Sequence, residues 1–230
     1  MRLDKFICRC TELSRSDAKK YLKRGAIKVA DEIIKDPGFQ VYPESLVTFN
    51  GNLLSFATAR YIMLHKPADC ICSNVDELYP SVLHLVEVDR AFDLHIAGRL
   101  DADTTGLVLI TDDGQWSHKI TSPKKECNKR YRVQLSKPIP ENAVQRFKEG
   151  VQLQNEPKLT KPALLEVLAE KEALLTISEG KYHQVKRMFA AIGNRVIGLH
   201  REQIGDIELD PELSLGEWRY LTDEEVNSIN

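Results

Sequence analysis

The stretch of this 230-residue chain best equipped for chemistry is Ala97-Gly98-Arg99-Leu100-Asp101-Ala102-Asp103-Thr104-Thr105-Gly106-Leu107. A glycine-bounded polar segment feeding the apolar run Leu107-Val108-Leu109-Ile110 puts a carboxylate in a loop beside a sheet, where catalytic groups are commonly presented. The same spacing also suits a turn in which Asp101 or Asp103 caps backbone amides. Two further segments carry groups that could join it. In Lys129-Arg130-Tyr131-Arg132-Val133-Gln134-Leu135 the two-residue period of a strand sets Tyr131, Val133 and Leu135 on one face and Arg130, Arg132 and Gln134 on the other. An aromatic flanked by cations suits stacking on a base while phosphates are held nearby, and it equally suits an ordinary half-buried strand. The third segment, Glu179 to Phe189, opens a helix whose Val185, Met188, Phe189 and Ile192 form an apolar stripe, leaving His183, Lys186 and Arg187 off it.

The elements that must position these residues fall into two groups. Leu3, Phe6, Ile7 and Cys10 recur with the period of a helix, and Ser14 with Asp17 three residues on marks the start of a second helix that Gly25 ends. That second helix carries Arg15, Lys19, Lys20, Lys23 and Arg24 around one greasy side of Ala18, Tyr21 and Leu22. Short strands are expected over 26–30 and 46–49, with Pro37-Gly38 and Asn50-Gly51 as turns, the latter of the tight hairpin type. A domain boundary is placed after residue 57, giving domains 1–57 and 58–230. In the second domain, strands are expected over 61–64, 107–111, 131–135 and 174–177 and helices over 141–149 and 182–192, an α+β pattern with a mixed or antiparallel sheet.

Composition narrows the function classes. With 42% hydrophobic and 29% charged residues, the chain reads as an ordinary globular protein. No apolar run approaches the ~18 residues of a membrane helix and no leader is expected, so a cytoplasmic, membrane-free protein is anticipated. The five cysteines, Cys8, Cys10, Cys70, Cys72 and Cys127, lack C-x-x-C spacing and are expected to be buried or inert thiols, with no metal site. A net charge of −2 hides an asymmetry: residues 1–30 carry nine Lys/Arg against three Asp/Glu, whereas residues 202–230 carry one against nine. A basic module on an otherwise neutral or acidic chain suits a localised polyanion contact.

These residues carry a resemblance. Arg2-Leu3-Asp4-Lys5, then Ser14-Arg15 opening a basic helix, then Gly25 and the strand with Val29, resemble the S-four RNA-binding domain, a fold of two helices plus short strands. The Gly98-Arg99-Leu100-Asp101 segment, Lys129-x-Tyr131 and the helix beginning at Tyr182 resemble, in order, the three motifs of the RsuA-type pseudouridine synthases, which join an S-four domain to a catalytic domain. His65-Lys66-Pro67 and Leu199-x-Arg201 also look familial. The resemblance spans essentially the whole chain. It implies that Asp101 is the catalytic carboxylate, that Tyr131 packs on the target base, and that Lys186 pairs with the aspartate, with Arg187 the alternative register. It further implies RNA contacts from Arg2, Lys5, Arg15, Lys19, Lys20, Lys23 and Arg24 in the first domain and from Arg99, Lys129, Arg130, His183, Gln184 and Arg187 in the second. The run His183-Gln184-Val185-Lys186-Arg187-Met188 is more like the small-subunit ribosomal RNA enzymes than their large-subunit relatives. The implied partner is therefore small-subunit ribosomal RNA, free or in an assembling particle; the isomerisation changes no oxidation level and uses no acceptor, so no cofactor is expected, and a monomer is expected because the sequence carries no coiled-coil or large apolar signature.

Two rivals compete. Asp101-x-Asp103-x-Thr105 formally matches the D-x-D-x-T of magnesium-dependent phosphatases, but that motif should end a hydrophobic strand, and the adjacent pair Asp112-Asp113 follows too soon to be its later metal ligands. The other rival is a non-catalytic RNA-binding or ribosome-assembly protein that keeps only the S-four grip.

Overall fold

The computed structural model describes residues 1–11, 13–42, 44–54 and 59–229. The chain divides into two compact units, Met1–Thr58 and Ala59–Asn230, and the expected boundary at residue 57 lies outside the described residues.

The first unit has helices α1 (Leu3–Cys10) and α2 (Arg15–Lys23) and strands β1 (Ile27–Val29), β2 (Glu32–Ile33), β3 (Val47–Phe49) and β4 (Asn52–Leu54). The helical period of the sequence becomes the core: Leu3, Phe6 and Ile7 of α1 and Ala18 and Leu22 of α2 are buried with Ile27, Val41 and Val47. Ser14 caps α2 by accepting the Asp17 amide at 3.2 Å. The sheet order is β2-β1-β3-β4. Its β3–β4 hairpin turns on Asn50 and Gly51, both with positive φ (49° and 86°), the mirror-image turn that only such residues adopt cheaply. Arg2, Lys5, Arg15, Lys19, Lys20, Lys23 and Arg24 are all exposed on this unit.

The second unit is built on β5 (Tyr61–Lys66), β6 (His95–Ala97), β7 (Thr105–Thr111), α3 (Gly114–Thr121), β8 (Lys129–Leu135), α4 (Ala143–Glu149), β9 (Leu164–Ala169), β10 (Glu172–Ile177), α5 (Gln184–Ala191), β11 (Val196–Ile204), β12 (Ile207–Glu208), β13 (Trp218–Tyr220) and α6 (Asp223–Ser228). The main sheet runs β13-β5-β7-β11-β8-β10-β9, with β6 on β7 and β12 on β11. Strands β7 and β11 are parallel and the other pairings antiparallel, the mixed sheet of an α+β domain.

Sequence pattern explains the layering. β7 is a continuous apolar run because it is covered on both sides: Leu107 and Leu109 pack with Trp116 and Ile120 of α3, while Val108 and Ile110 pack with Ile62, Leu64, Val82 and Leu83. β8 and β10 alternate because only one face is covered. Tyr131, Val133, Leu135, Ala173, Leu175 and Ile177 meet Phe147 of α4 and Met188 and Phe189 of α5, whose two phenyl rings touch edge to face at 5.0 Å. The parallel β7–β11 pair demands a glycine. A Cβ on Gly106 (φ +110°) would lie 2.3 Å from the Arg201 carbonyl oxygen and 2.5 Å from its nitrogen, so no side chain fits where the two backbones meet.

Candidate active site

Asp101 sits in the loop between β6 and β7, just before the strand begins, and the Thr104 amide bonding the Asp101 carbonyl at 3.1 Å makes that loop a turn. The backbone is clamped from two sides by cations that the sheet buries completely. Lys66, at the end of β5, has none of its surface exposed and donates from Nζ to the carbonyls of Thr104 (2.8 Å), Pro67 (2.9 Å) and Ala102 (3.2 Å). Burial pushes its ammonium below the ordinary lysine range, and the nearby Cys70, Cys72, Asp103 and Asp101 oppose that shift. Arg201 of β11 is 1% exposed and reaches Gly98 O (2.6 Å) and Leu107 O (2.8 Å), with Nη1 3.3 Å from the Tyr131 hydroxyl. An unpaired buried charge costs several kcal/mol, so both cations persist only because carbonyl oxygens replace their water. Buried Cys72 completes the frame, its Sγ accepting the Leu100 amide at 3.3 Å.

Against this fixed loop α5 brings its first turn. Lys186 Nζ lies 2.9 Å from Asp101 Oδ2 and 2.6 Å from Asp103 Oδ1, and His183 Nε2 lies 3.3 Å from Asp101 Oδ1. Burial works against the Lys186 ammonium, but the bonds to Asp103 and Asp101 outweigh it and hold the group above the ordinary lysine range. Asp103 answers in kind: despite partial burial, Lys186 holds its carboxyl below the usual value. Around these charges a cavity of about 110 Å³ is lined by Arg99, Leu100, Thr104, Tyr131, Val185 and Leu199, among others. The lining mixes the cations Arg99, Lys181 and Lys186 with apolar Leu100, Ile177, Val185 and Leu199, and its single tyrosine, Tyr131, is 8% exposed. An anchored carboxylate beside an ammonium, with a ring to receive a planar group, suits nucleophilic or base chemistry on an uncharged heterocycle and its sugar.

The structure thus brings together Asp101, Tyr131, Lys186, Arg99 and His183. It does not bring Lys129, Arg130 and Arg187 to the cavity, and it gives Gln184 a different task there. Lys129 shares the Tyr131 side of β8, but its amine is spent on the carbonyls of Cys127 (2.7 Å) and Ile120 (2.9 Å), and burial lowers it from the ordinary value. Arg130 falls on the opposite sheet face, with Glu208 at 3.2 Å and Glu202 at 3.7 Å, because neighbours on a strand point to opposite sides. Arg187 bonds Glu156 (3.3 Å) and the Tyr182 carbonyl (3.1 Å), which leaves Lys186 in register with Asp101. Gln184 is buried and holds the Lys181 amide and Glu179, each at 2.8 Å.

Missed by sequence reasoning were the clamping roles of Lys66 and Arg201 and the double engagement of Lys186. A signal existed for the first: His65-Lys66-Pro67 and Leu199-x-Arg201 already stood out as familial. The phosphatase rival loses its ligands. Asp112 pairs with Arg60 at 2.9 Å and Asp113 caps α3 through the amides of Gln115 and Trp116, while Asp101 precedes a strand instead of ending one.

Comparison with known proteins follows the same division of the chain. Residues 60–191 match the RNA pseudouridylate synthase family and residues 1–47 match the S4 domain. The chain is 53% identical to ribosomal small subunit pseudouridine synthase A of Vibrio cholerae, covering 100% of this chain and 99% of that relative. It is 51% identical to the protein of the same name from Escherichia coli K12 over the full length of both. A solved structure described as the crystal structure of a pseudouridylate synthase is similar at a TM-score of 0.74 and 49% identity, again over the whole of both chains.

Proposed function

From the premise that this chain belongs to the RNA pseudouridylate synthase family, we propose that it converts a specific uridine of small-subunit ribosomal RNA to pseudouridine, with Asp101 as the reacting carboxylate. In this reading residues 1–57 form an RNA-binding domain and residues 58–230 the catalytic domain of a cytoplasmic monomer, acting on free RNA or on an assembling particle.

The reaction breaks the bond from N1 of uracil to the anomeric carbon and makes one from C5 to that carbon. The proton on C5 leaves and N1 gains one, so atoms and oxidation level are unchanged and no acceptor is consumed. A carboxylate serves by attacking as a nucleophile or by acting as a base while stabilising positive character on the sugar. Both routes use the Asp101 carboxylate, which the Lys186 ammonium holds in place at 2.9 Å. The target base must leave its stack to reach the cavity, and the Tyr131 ring, backed by the Arg201 guanidinium 5.8 Å from its centroid, offers it a new stacking surface. Arg99 and His183 also line the cavity.

The observation that carries the reading is the pairing of Asp101 with Lys186 at the mouth of a cavity lined by Tyr131. Its test is to incubate small-subunit ribosomal RNA, naked and in ribosomal particles, with wild-type protein and with Asp101→Asn, and to map pseudouridine. We expect new pseudouridine at one position with the wild type and none with the variant, while RNA binding persists in both. An Asp101→Asn protein that still forms pseudouridine would remove the carboxylate from the mechanism.

A further inference from the structure

We infer that Tyr182 is the stacking platform for the nucleotide next to the target uridine, taking up the stacking that this neighbour loses when the target base swings into the cavity. The inference rests on the reading of the chain as a uridine isomerase and adds to it a residue and a contact outside the reacting centre.

When a base leaves its stack, its former neighbour is left with a bare face. Tyr131 lies inside the cavity and can serve only the base that enters. Tyr182, by contrast, is 76% exposed, the most exposed tyrosine among the described residues. Its ring lies flat on His183, with centroids 3.8 Å apart and planes 21° from parallel, and His183 in turn reaches Asp101 Oδ1 at 3.3 Å. One side chain therefore separates this open aromatic face from the reacting carboxylate.

Isolated exposed aromatics are ordinary on protein surfaces, and what sets this one apart is its mount. His183 takes a left-handed conformation (φ 46°) at the N-cap of α5, a costly state that persists only where the surroundings enforce it. Here Gln184, Glu179, Glu156 and Arg187 do so. The Lys181 amide bonds Gln184 Oε1 and buried Gln184 is tied to Glu179, each at 2.8 Å. Glu156 holds Lys181 at 2.7 Å and Arg187 at 3.3 Å, and Arg187 bonds the Tyr182 carbonyl at 3.1 Å. A ring laid flat on His183, on a turn bonded through the Lys181 amide and the Tyr182 carbonyl, loses little freedom when a base stacks on it.

The test uses full-length protein and an RNA fragment containing the mapped uridine, with 2-aminopurine or an abasic site at each neighbouring position in turn. Base stacking on an aromatic predicts that Tyr182→Ala raises KM by about tenfold with kcat nearly unchanged, while Tyr182→Phe behaves as wild type. Aminopurine at the platform position should be quenched by wild type and Tyr182→Phe but remain bright with Tyr182→Ala. With an abasic site there, the wild type and Tyr182→Ala should have equal KM. Tyr182→Ala acting like wild type on intact RNA, or keeping its tenfold defect on both abasic RNAs, would overturn the platform while leaving the isomerase reading intact. A wild type that forms no pseudouridine would instead overturn the isomerase reading and this inference with it.

Discussion

Lys186 is shared by two carboxylates of unequal exposure: the Asp103 side chain is 71% exposed and that of Asp101 30%. The contact to Asp103 is the shorter but the more exposed of the two, so solvent screens it more than the contact to Asp101. The neighbour of Lys186 in sequence, Arg187, ties the turn before α5 to Glu156 and touches neither carboxylate. Substituting each by Met separates the two roles. Lys186→Met should lower kcat by at least about tenfold with RNA binding retained, the scale on which a lost interaction with an ionised reacting group is felt. Arg187→Met should instead lower the melting temperature, by breaking the mount of the Lys181–His183 turn, with a smaller loss of turnover; a reversed pattern in single-turnover assays and thermal melts would exchange their assignments. At this scale the convergence of Asp101, Tyr131 and Lys186 on one cavity follows from the resemblance of their three motifs, whereas spacing alone left a capping turn and a half-buried strand equally open. The sequence was not legible for Arg130 and Lys129, because adjacency along a strand says nothing about which groups wait on the far face or at the strand's end to neutralise them.

At the level of elements, the site depends on β7 and β11 lying side by side, and on Gly106 where they meet. Gly106→Ala would press a methyl group into the Arg201 backbone, so the pair must separate or Arg201 must shift away from Tyr131 and Gly98. We expect a loss of about 2 kcal/mol or more in urea unfolding, together with lost turnover, from overpacking plus an unfavourable backbone angle. An unchanged unfolding midpoint would mean that the strands tolerate separation. Both helices of the first unit, the Asn50-Gly51 hairpin and the buried run of β7 were readable, since each announces itself by period, cap or turn residues. β11 was not foreseen as a strand: Gly198 and the polar His200, Arg201, Glu202 and Gln203 mask its period, and Arg201 is buried only because β7 and the site loop supply its carbonyl partners. Helix α5 begins two residues later than its apolar period suggests, because the left-handed backbone at His183 interrupts the turn.

For the molecule as a whole, charge is divided along the chain. The basic first thirty residues are matched by an acidic last stretch in which Asp210 and Glu225 close on Arg219 at 2.6 and 2.8 Å and raise that guanidinium above its ordinary value. If the exposed lysines of α2 meet phosphates, replacing Lys19 or Lys23 by Gln should flatten the slope of log affinity against log salt by roughly 0.7–0.9 each. Lys20, already paired with Asp17 at 2.9 Å, should flatten it less. Equal slopes for all three variants and the wild type, measured by filter binding across a salt series, would remove α2 from the RNA contact. The parallel β7–β11 pair also has a consequence in time. Thr105 and His200, bonded across it, are 95 residues apart in the chain, and Asp101 and Lys186 are 85 apart. Loop closures of that length form late, whereas the short-range contacts of the first unit can form as soon as it leaves the ribosome. During its own synthesis, then, the growing polypeptide gains the means to hold an RNA well before it gains the means to alter one.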